Sequence, residues 1–228
     1  SDGIFSKSKS LISKNKAKIK YNNTLAIRGI LTKFPENIDN KNINLFLGSD
    51  FHYVFYPVNP TGDFNFIAII KYKLSTEEKK NYSLFKDKSF IKKVLEKTPI
   101  KNKDFLDDLK ELKIFPVFVS DNFCKLKNQN IQLIGDAFFA FPPSFAQGAS
   151  QSIESAYELF KSIENKTDGN FFKRRKNKTK MVNNRSQLNQ FVFHLSNPLT
   201  IFFRNFFLKR LMKNKKFLET YLGKIYNN

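Results

Sequence analysis

Leu133–Gln151 reads LIGDAFFAFPPSFAQGASQ, the most informative segment of the chain. Ile131–Gly135 (IQLIG) is short and apolar and reads as a buried strand running into Asp136. A carboxylate at the carboxyl end of such a strand lies on the ligand side of an α/β layer. Ionised, it only accepts hydrogen bonds, which suits a sugar or ribitol hydroxyl. Pro142-Pro143 then forms a rigid wall without backbone donors. Gln147-Gly148-Ala149 opens a helix in which Ile153, Ala156, Tyr157, Phe160 and Ile163 keep helical spacing, with Glu154, Glu158 and Lys161 off that stripe. A glycine at a helix start lets a ligand approach the backbone, where free N–H groups favour negative charge.

One strand-turn-helix unit therefore offers a hydroxyl acceptor, an apolar wall and an anion-stabilising amide cluster. Those are the needs of a reduced flavin, whose ribitol, ring and N1–C2=O edge they match. The stretch resembles the Gly-Asp motif of the single-component FAD-dependent aromatic hydroxylases, of the salicylate, hydroxybenzoate and ubiquinone-biosynthesis type. That motif runs close to GDAAHxxxPxxAQGAxQAIEDA. The match holds in register at Gly135, Asp136, Ala137, Pro143, Ala146, Gln147, Gly148, Ala149, Gln151, Ile153, Glu154 and Ala156. The His common after GDA is Phe139 here, and the Asp after Glu154 is Ser155.

Outward from the motif the resemblance continues. Ser1-Asp2-Gly3-Ile4-Phe5-Ser6 is similar to the family's A/S-D-G-x-x-S motif, which contacts the FAD pyrophosphate. Ala26–Gly29 (AIRG) with His52–Val58 (HYVFYPV) resembles its WRG…YPV stretch, and Arg174–Ser186 with His194 its trailing helix. The ending FLETYLGKIY resembles a common terminal helix. The family's amino-terminal G-x-G-x-x-G region is absent from this sequence, and truncation is the expectation.

The remaining chain reads from its own patterns. Thr24–Ile30, Asn44–Gly48, His52–Val58 and Phe64–Lys71 are strand-like, and Asn59–Asp63 (NPTGD) makes the last two an antiparallel hairpin. His52, Val54, Tyr56 and Val58 share one face, opposite Tyr53 and Phe55. Thr76–Thr98 and Asp104–Leu112 carry helical spacing, whereas Lys113–Ser120 is strand-like with Pro116 confining it to an edge or bulge. Ser6–Lys20 is polar and lysine-rich, a short exposed helix or loop. From Asn165 onward the chain is basic and helical in pieces, with a break at Asn197-Pro198.

The fold class expected is α+β: an α/β FAD-binding part, an antiparallel-sheet substrate domain and carboxyl-terminal helices. Residues 1–20 would end the first FAD-domain segment, 21–120 form the substrate domain, 121–165 return to the FAD domain, and 166–228 form the helical region. The resemblance implies cofactor contacts from Asp2, Gly3, Gly135, Asp136, Pro143, Gln147, Gly148 and Ala149, and no side chain is assigned a catalytic role. Arg28 and Tyr56 are substrate-side candidates, each weighed against a plain surface or packing role. The implied reaction uses FAD, NAD(P)H and O₂ to hydroxylate an aromatic or quinone-precursor ring through a flavin C4a-hydroperoxide.

Composition bounds the alternatives. One Cys and two His leave no disulfide framework or zinc cluster, so Cys124 reads as a reduced structural thiol and His52 and His194 as structural. A net charge of +20 admits an anionic partner, or a coding bias that enriches Lys, Asn, Ile and Phe together. Two other readings stay open: a non-enzymatic basic protein binding nucleic acid or a membrane surface, and a non-hydroxylating flavin oxidoreductase of the same fold. No specific nucleic acid is expected for the hydroxylase. The expected location is cytoplasmic, with peripheral contact at a membrane's inner face through Leu199–Met212 as the alternative to internal packing.

Overall fold

A computed structural model describes residues 2–14, 18–32, 39–59, 62–98, 106–124, 126, 131–166 and 170–226, omitting the side chains of Leu222, Lys224 and Tyr226. Ser1, residues 15–17, Pro60, Thr61, Asp104 and Phe105, which figure in the expectations above, lie outside them. The chain divides into two units. One comprises Ser1–Asn22, Phe118–Gln190 and Leu208–Asn228; the other comprises Asn23–Val117 and Phe191–Phe207.

The second unit is built on β-branched and aromatic runs that pair as β1 (Ile19–Leu31), β2 (Asn44–Leu47), β3 (Phe51–Pro57), β4 (Phe64–Lys71) and β5 (Leu109–Ser120). Their order is β2-β3-β4-β1-β5, and β1 and β5 extend in sequence into the first unit. The β3–β4 hairpin forms as its turn chemistry predicts. Asn59 Nδ2 donates to Asp63 Oδ2 at 2.7 Å, and the Asp63 amide donates back to Asn59 Oδ1 at 3.0 Å.

Register sets two faces. Leu25, Ile27 and Leu31 of β1 lie with Phe66 and Ala68 of β4 and Tyr53 and Phe55 of β3, and these seven are buried. Gly29, opposite Phe66, belongs to the same face, and a Cβ there would stand 3.1 Å from the Leu109 and Leu112 methyls. The Tyr53 hydroxyl meets Thr98 Oγ1 at 2.6 Å, just past α3 (Lys88–Glu96), whose Phe90, Ile91, Val94 and Leu95 are buried. The opposite face carries Arg28, His52, Tyr56 and Asn65.

Two sequence expectations are corrected and one is refined. The helical spacing read within Thr76–Thr98 holds at Phe90, Ile91, Val94 and Leu95 in α3, but the stretch is not one helix. It divides into α2 (Thr76–Lys80), a 3₁₀ turn (Tyr82–Lys86) and α3, because Asn81 and Asp87 are better caps than helix interior. The Asp87 side chain caps α3 by accepting the Ser89 amide at 2.8 Å. The helical spacing read over Asp104–Leu112 fails at its described end: Leu109–Leu112 opens β5, where pairing with β1 overrides local period. β5 is an edge strand, as Pro116 requires. Finally, Ile131–Ile134 is not among the strands. Ile134 is extended (φ −129°, ψ 163°), and the chain turns directly into α4 (Gly135–Phe138).

In the first unit α1 (Lys7–Ile12) is capped by Ser6, whose Oγ accepts the Lys9 amide at 2.8 Å. α5 (Gly148–Glu164) and α6 (Phe171–Phe193) lie together through ion pairs, and α8 (Lys215–Tyr226) closes the chain. The buried side of α5 is polar, carrying Gln151, Ser155 and Ser162, while Ile153, Tyr157, Phe160 and Ile163 are exposed. On the buried side Arg175 of α6, 2% exposed, pairs with Glu154 and Glu158 at 3.0 and 3.2 Å. α7 (Pro198–Leu211) begins after the expected break, with its Leu199 amide donating to Asn197 Oδ1 at 2.9 Å.

Candidate functional site

Gly135 makes the turn that presents Asp136. Its φ of +59° lies in the left-handed region, which a side chain enters at a cost of about 1–2 kcal/mol. Behind the turn Leu133, Ala137, Phe138 and Phe139 form a buried cluster with Ile12, Phe123, Leu126, Phe141 and Phe172 packed against it. The Asp136 side chain is exposed at the cluster's rim, and desolvation by the protein beside it raises its pKa.

The proline-rich turn forms a 3₁₀ helix, Pro143–Phe145, that stops at Ala146 with φ +52°. That reversal aims α5 so that Gly148 stands at its first turn, with Gln147 buried at the cap position. A Cβ built on Gly148 meets no atom within 4 Å, so this glycine is not required by packing. Asp136, Phe139, Gly148, Gln151, Ser155 and Arg175 all line one shallow cleft, open to solvent.

Two polar atoms of the cleft residues are buried without a partner among the described residues, Ser155 Oγ and Arg175 Nε. The rest of the Arg175 guanidinium is committed: its Nη2 donates to the Gln151 carbonyl and to Gln151 Oε1 at 3.2 and 3.0 Å. An acceptor carboxylate, an open helix start and unsatisfied buried polar atoms fit a flavin dinucleotide. Phe139 is buried and stacks on Phe123 with ring centres 4.3 Å apart. This wall is therefore apolar.

The structure also joins the Asp-Gly and Gly-Asp segments, which lie far apart in sequence. Lys9 is 2% exposed, and its ammonium donates to the Phe138 carbonyl at 3.4 Å. Burial lowers its pKa, partly offset by Cys124, which is buried and free. Asp2 is exposed and accepts the Ser8 amide and hydroxyl, both at 3.2 Å. Bonds from Ser6, then Ser8, hold its carboxyl down at about 2. Gly3 has φ +77° and its carbonyl accepts the Ser6 amide at 3.1 Å.

The substrate-side candidates are in the other unit. Arg28 is exposed and Tyr56 half-buried on the same sheet face, two strands apart with β4 between them. Directly opposite Tyr56 in β4 is Asn65, 7% exposed, whose Nδ2 is buried with no partner among the described residues. Sequence reasoning missed Asn65, Lys9 and Arg175. Asn65 carried one available signal, an amide within an otherwise apolar run. His52 and His194 bond each other, Nδ1 to Nε2 at 2.9 Å. Burial, then the neighbouring His194, takes His52 down to about 3, and burial takes His194 to about 4. Among the described residues no group of three or more His, Cys, Asp or Glu could hold a metal.

No family model matches the sequence, and no curated protein matches it. Solved structures do match the fold. Klebsiella pneumoniae HpxO, complexed with FAD and uric acid, has a TM-score of 0.74 at 13% identity over 99% of this chain and 57% of its own. A salicylate hydroxylase in its substrate complex has a TM-score of 0.69 at 17% identity, covering 87% of this chain and 55% of its own. The tetracycline destructase Tet(51) gives 0.59 at 12% identity, with 92% and 58% covered. The chain thus spans less than two thirds of each of these three solved chains. Its fold, an antiparallel sheet plus helices, matches part of the flavoprotein-hydroxylase fold.

Proposed function

We propose that this chain belongs to an FAD-dependent monooxygenase that hydroxylates a small aromatic or quinone-like ring with NAD(P)H and O₂. The observation that carries the reading is the cleft that brings Asp136 and Gly148 together, in a fold shared with an FAD complex. Asp136 accepts a ribitol hydroxyl, and the Gln147–Ala149 amides stabilise negative charge on the flavin edge. Pro143 and the Phe139–Phe123 stack wall the ring region and exclude water. Gly135 and Gly148 permit the turn and the close approach, while Asp2 and Gly3 serve the pyrophosphate side. When bound, FAD supplies the redox and oxygen-activating chemistry. On the sheet face Arg28, Tyr56 and the Asn65 amide orient an anionic or phenolic ring.

The test is a titration of the protein with FAD, followed by flavin fluorescence, for the native chain and for Asp136→Ala. The expected result is saturable binding that Asp136→Ala weakens about tenfold or more. With the full gene product, NAD(P)H oxidation should rise with a small aromatic substrate and yield a hydroxylated ring. Oxidation that yields hydrogen peroxide alone would move the reading to a non-hydroxylating flavin oxidoreductase. A protein that takes up no FAD yet binds DNA with steep salt dependence would move it to a basic binding protein.

A further inference from the structure

We infer that helix α7 is a membrane-docking element that seats its outer face on an anionic lipid surface. The spread of apolar residues around Leu199–Met212 makes the sequence alone look non-amphipathic, but the structure divides them. Leu199, Phe202, Phe203, Phe206 and Phe207 are 64, 65, 48, 55 and 54% exposed. At 3.6 residues per turn these five fall within an arc of about 140°. The inward side holds Ile201, Leu208 and Leu211, half-buried, and Arg204, 5% exposed.

Arg204 fixes that orientation. Its Nη1 donates to the Gly48 and Phe193 carbonyls at 3.4 and 3.2 Å, and its Nε donates to Asn205 Oδ1 at 3.0 Å. Arg204 and three aliphatic side chains face the protein, which leaves the aromatic side of the helix without internal packing. The outward rings touch one another, with Phe202–Phe203 and Phe206–Phe207 centroids 5.7 and 5.5 Å apart, and still leave about half their surface open.

Charge selects the partner. Lys209, Arg210, Lys213, Lys215 and Lys216 are exposed at and just beyond the carboxyl end of the helix. No Asp or Glu occurs between Asn170 and Leu218, within a chain of net charge +20. Aromatic residues on one face with Lys and Arg at its end match the interface of a bilayer bearing anionic headgroups. The helix lies on such a surface rather than through it. Its 14 residues span about 21 Å, and no helix among the described residues is long and apolar enough to cross a membrane.

The experiment is flotation of the protein with phosphatidylcholine vesicles, with and without phosphatidylserine, at low and high salt. Association with the anionic vesicles is expected, weakened by salt. Phe202→Ser with Phe206→Ser should lower it about tenfold or more, and Lys209→Glu with Arg210→Glu should remove the preference for phosphatidylserine. These residues are exposed, so thermal melts of the variants should match the native protein and keep the comparison valid. Absence of association, or association indifferent to the two phenylalanines, overturns the inference. So does a concentration-dependent dimer abolished by the same substitutions, which would make a second copy the occupant. Flavin affinity is not expected to change in these variants, so this result stands or falls apart from the proposed enzymatic function.

Discussion

Replacing Gly148 by Ala, and then by Val, separates a packing role from a ligand role. A Cβ on Gly148 meets nothing within 4 Å, and its backbone is outside the positive-φ region, so the protein can take the substitution without strain. Removing a glycine also reduces the conformational freedom of the unfolded chain, worth about 0.4–1 kcal/mol in favour of folding. For a chain of this size that is a rise of about 1–4 °C in Tm. If flavin sits against the Gly148 amide, the same methyl enters its contact distance. Affinity should then fall about tenfold for Ala, or about 1.4 kcal/mol, and further for Val. Differential scanning fluorimetry with flavin fluorescence titration reads both quantities on the same samples. Gly135→Ala is the counter-case, because its φ of +59° makes it lose about 1–2 kcal/mol of stability. Equal flavin affinity in the native, Ala and Val proteins would refute the assignment of Gly148 to the cofactor.

Arg175→Met should cost about 3 kcal/mol in chemical denaturation, the lower end for breaking a buried pair because Glu154 and Glu158 keep partial exposure. A loss below about 1 kcal/mol would show that α5 is not held by these pairs. Folding should weaken as pH falls below about 6.5, since both His52 and His194 have folded values below their unfolded ones. Stability is complete above that pH and lost on the way down to about 3–4. At pH 5 the two groups together remove about 4 kcal/mol relative to neutral pH, and His194→Gln should shrink that difference by about half. A variant with an unaltered pH profile contradicts the buried neutral pair. Asn65→Leu should leave stability unchanged or raise it by about 1 kcal/mol, because the buried amide has an unpaired donor; in the active protein it should raise KM. A marked loss of stability would mean that the amide has a structural partner.

The sequence determined the parts that depend on nearest neighbours. The Asn59–Asp63 turn places bonding partners four residues apart, so its hairpin was legible, as was the helix break at Asn197-Pro198. The helix start at Gln147-Gly148-Ala149 and the proline turn before it were legible for the same reason: both lie within one short stretch. Tertiary structure decided what depends on opposite partners. Leu109–Leu112 has helical spacing yet is a strand, because β1 supplies the hydrogen bonds. The period of α5 shows where a stripe of like residues lies but carries no sign, and that of α7 shows no stripe at all. In the fold Arg175 meets Glu154 and Glu158 on the buried side of α5, and Arg204 reaches the Gly48 and Phe193 carbonyls from the inward side of α7. Lys9 and Phe138, 129 residues apart, meet for a reason no local pattern could carry: a buried ammonium must find an acceptor wherever the fold provides one.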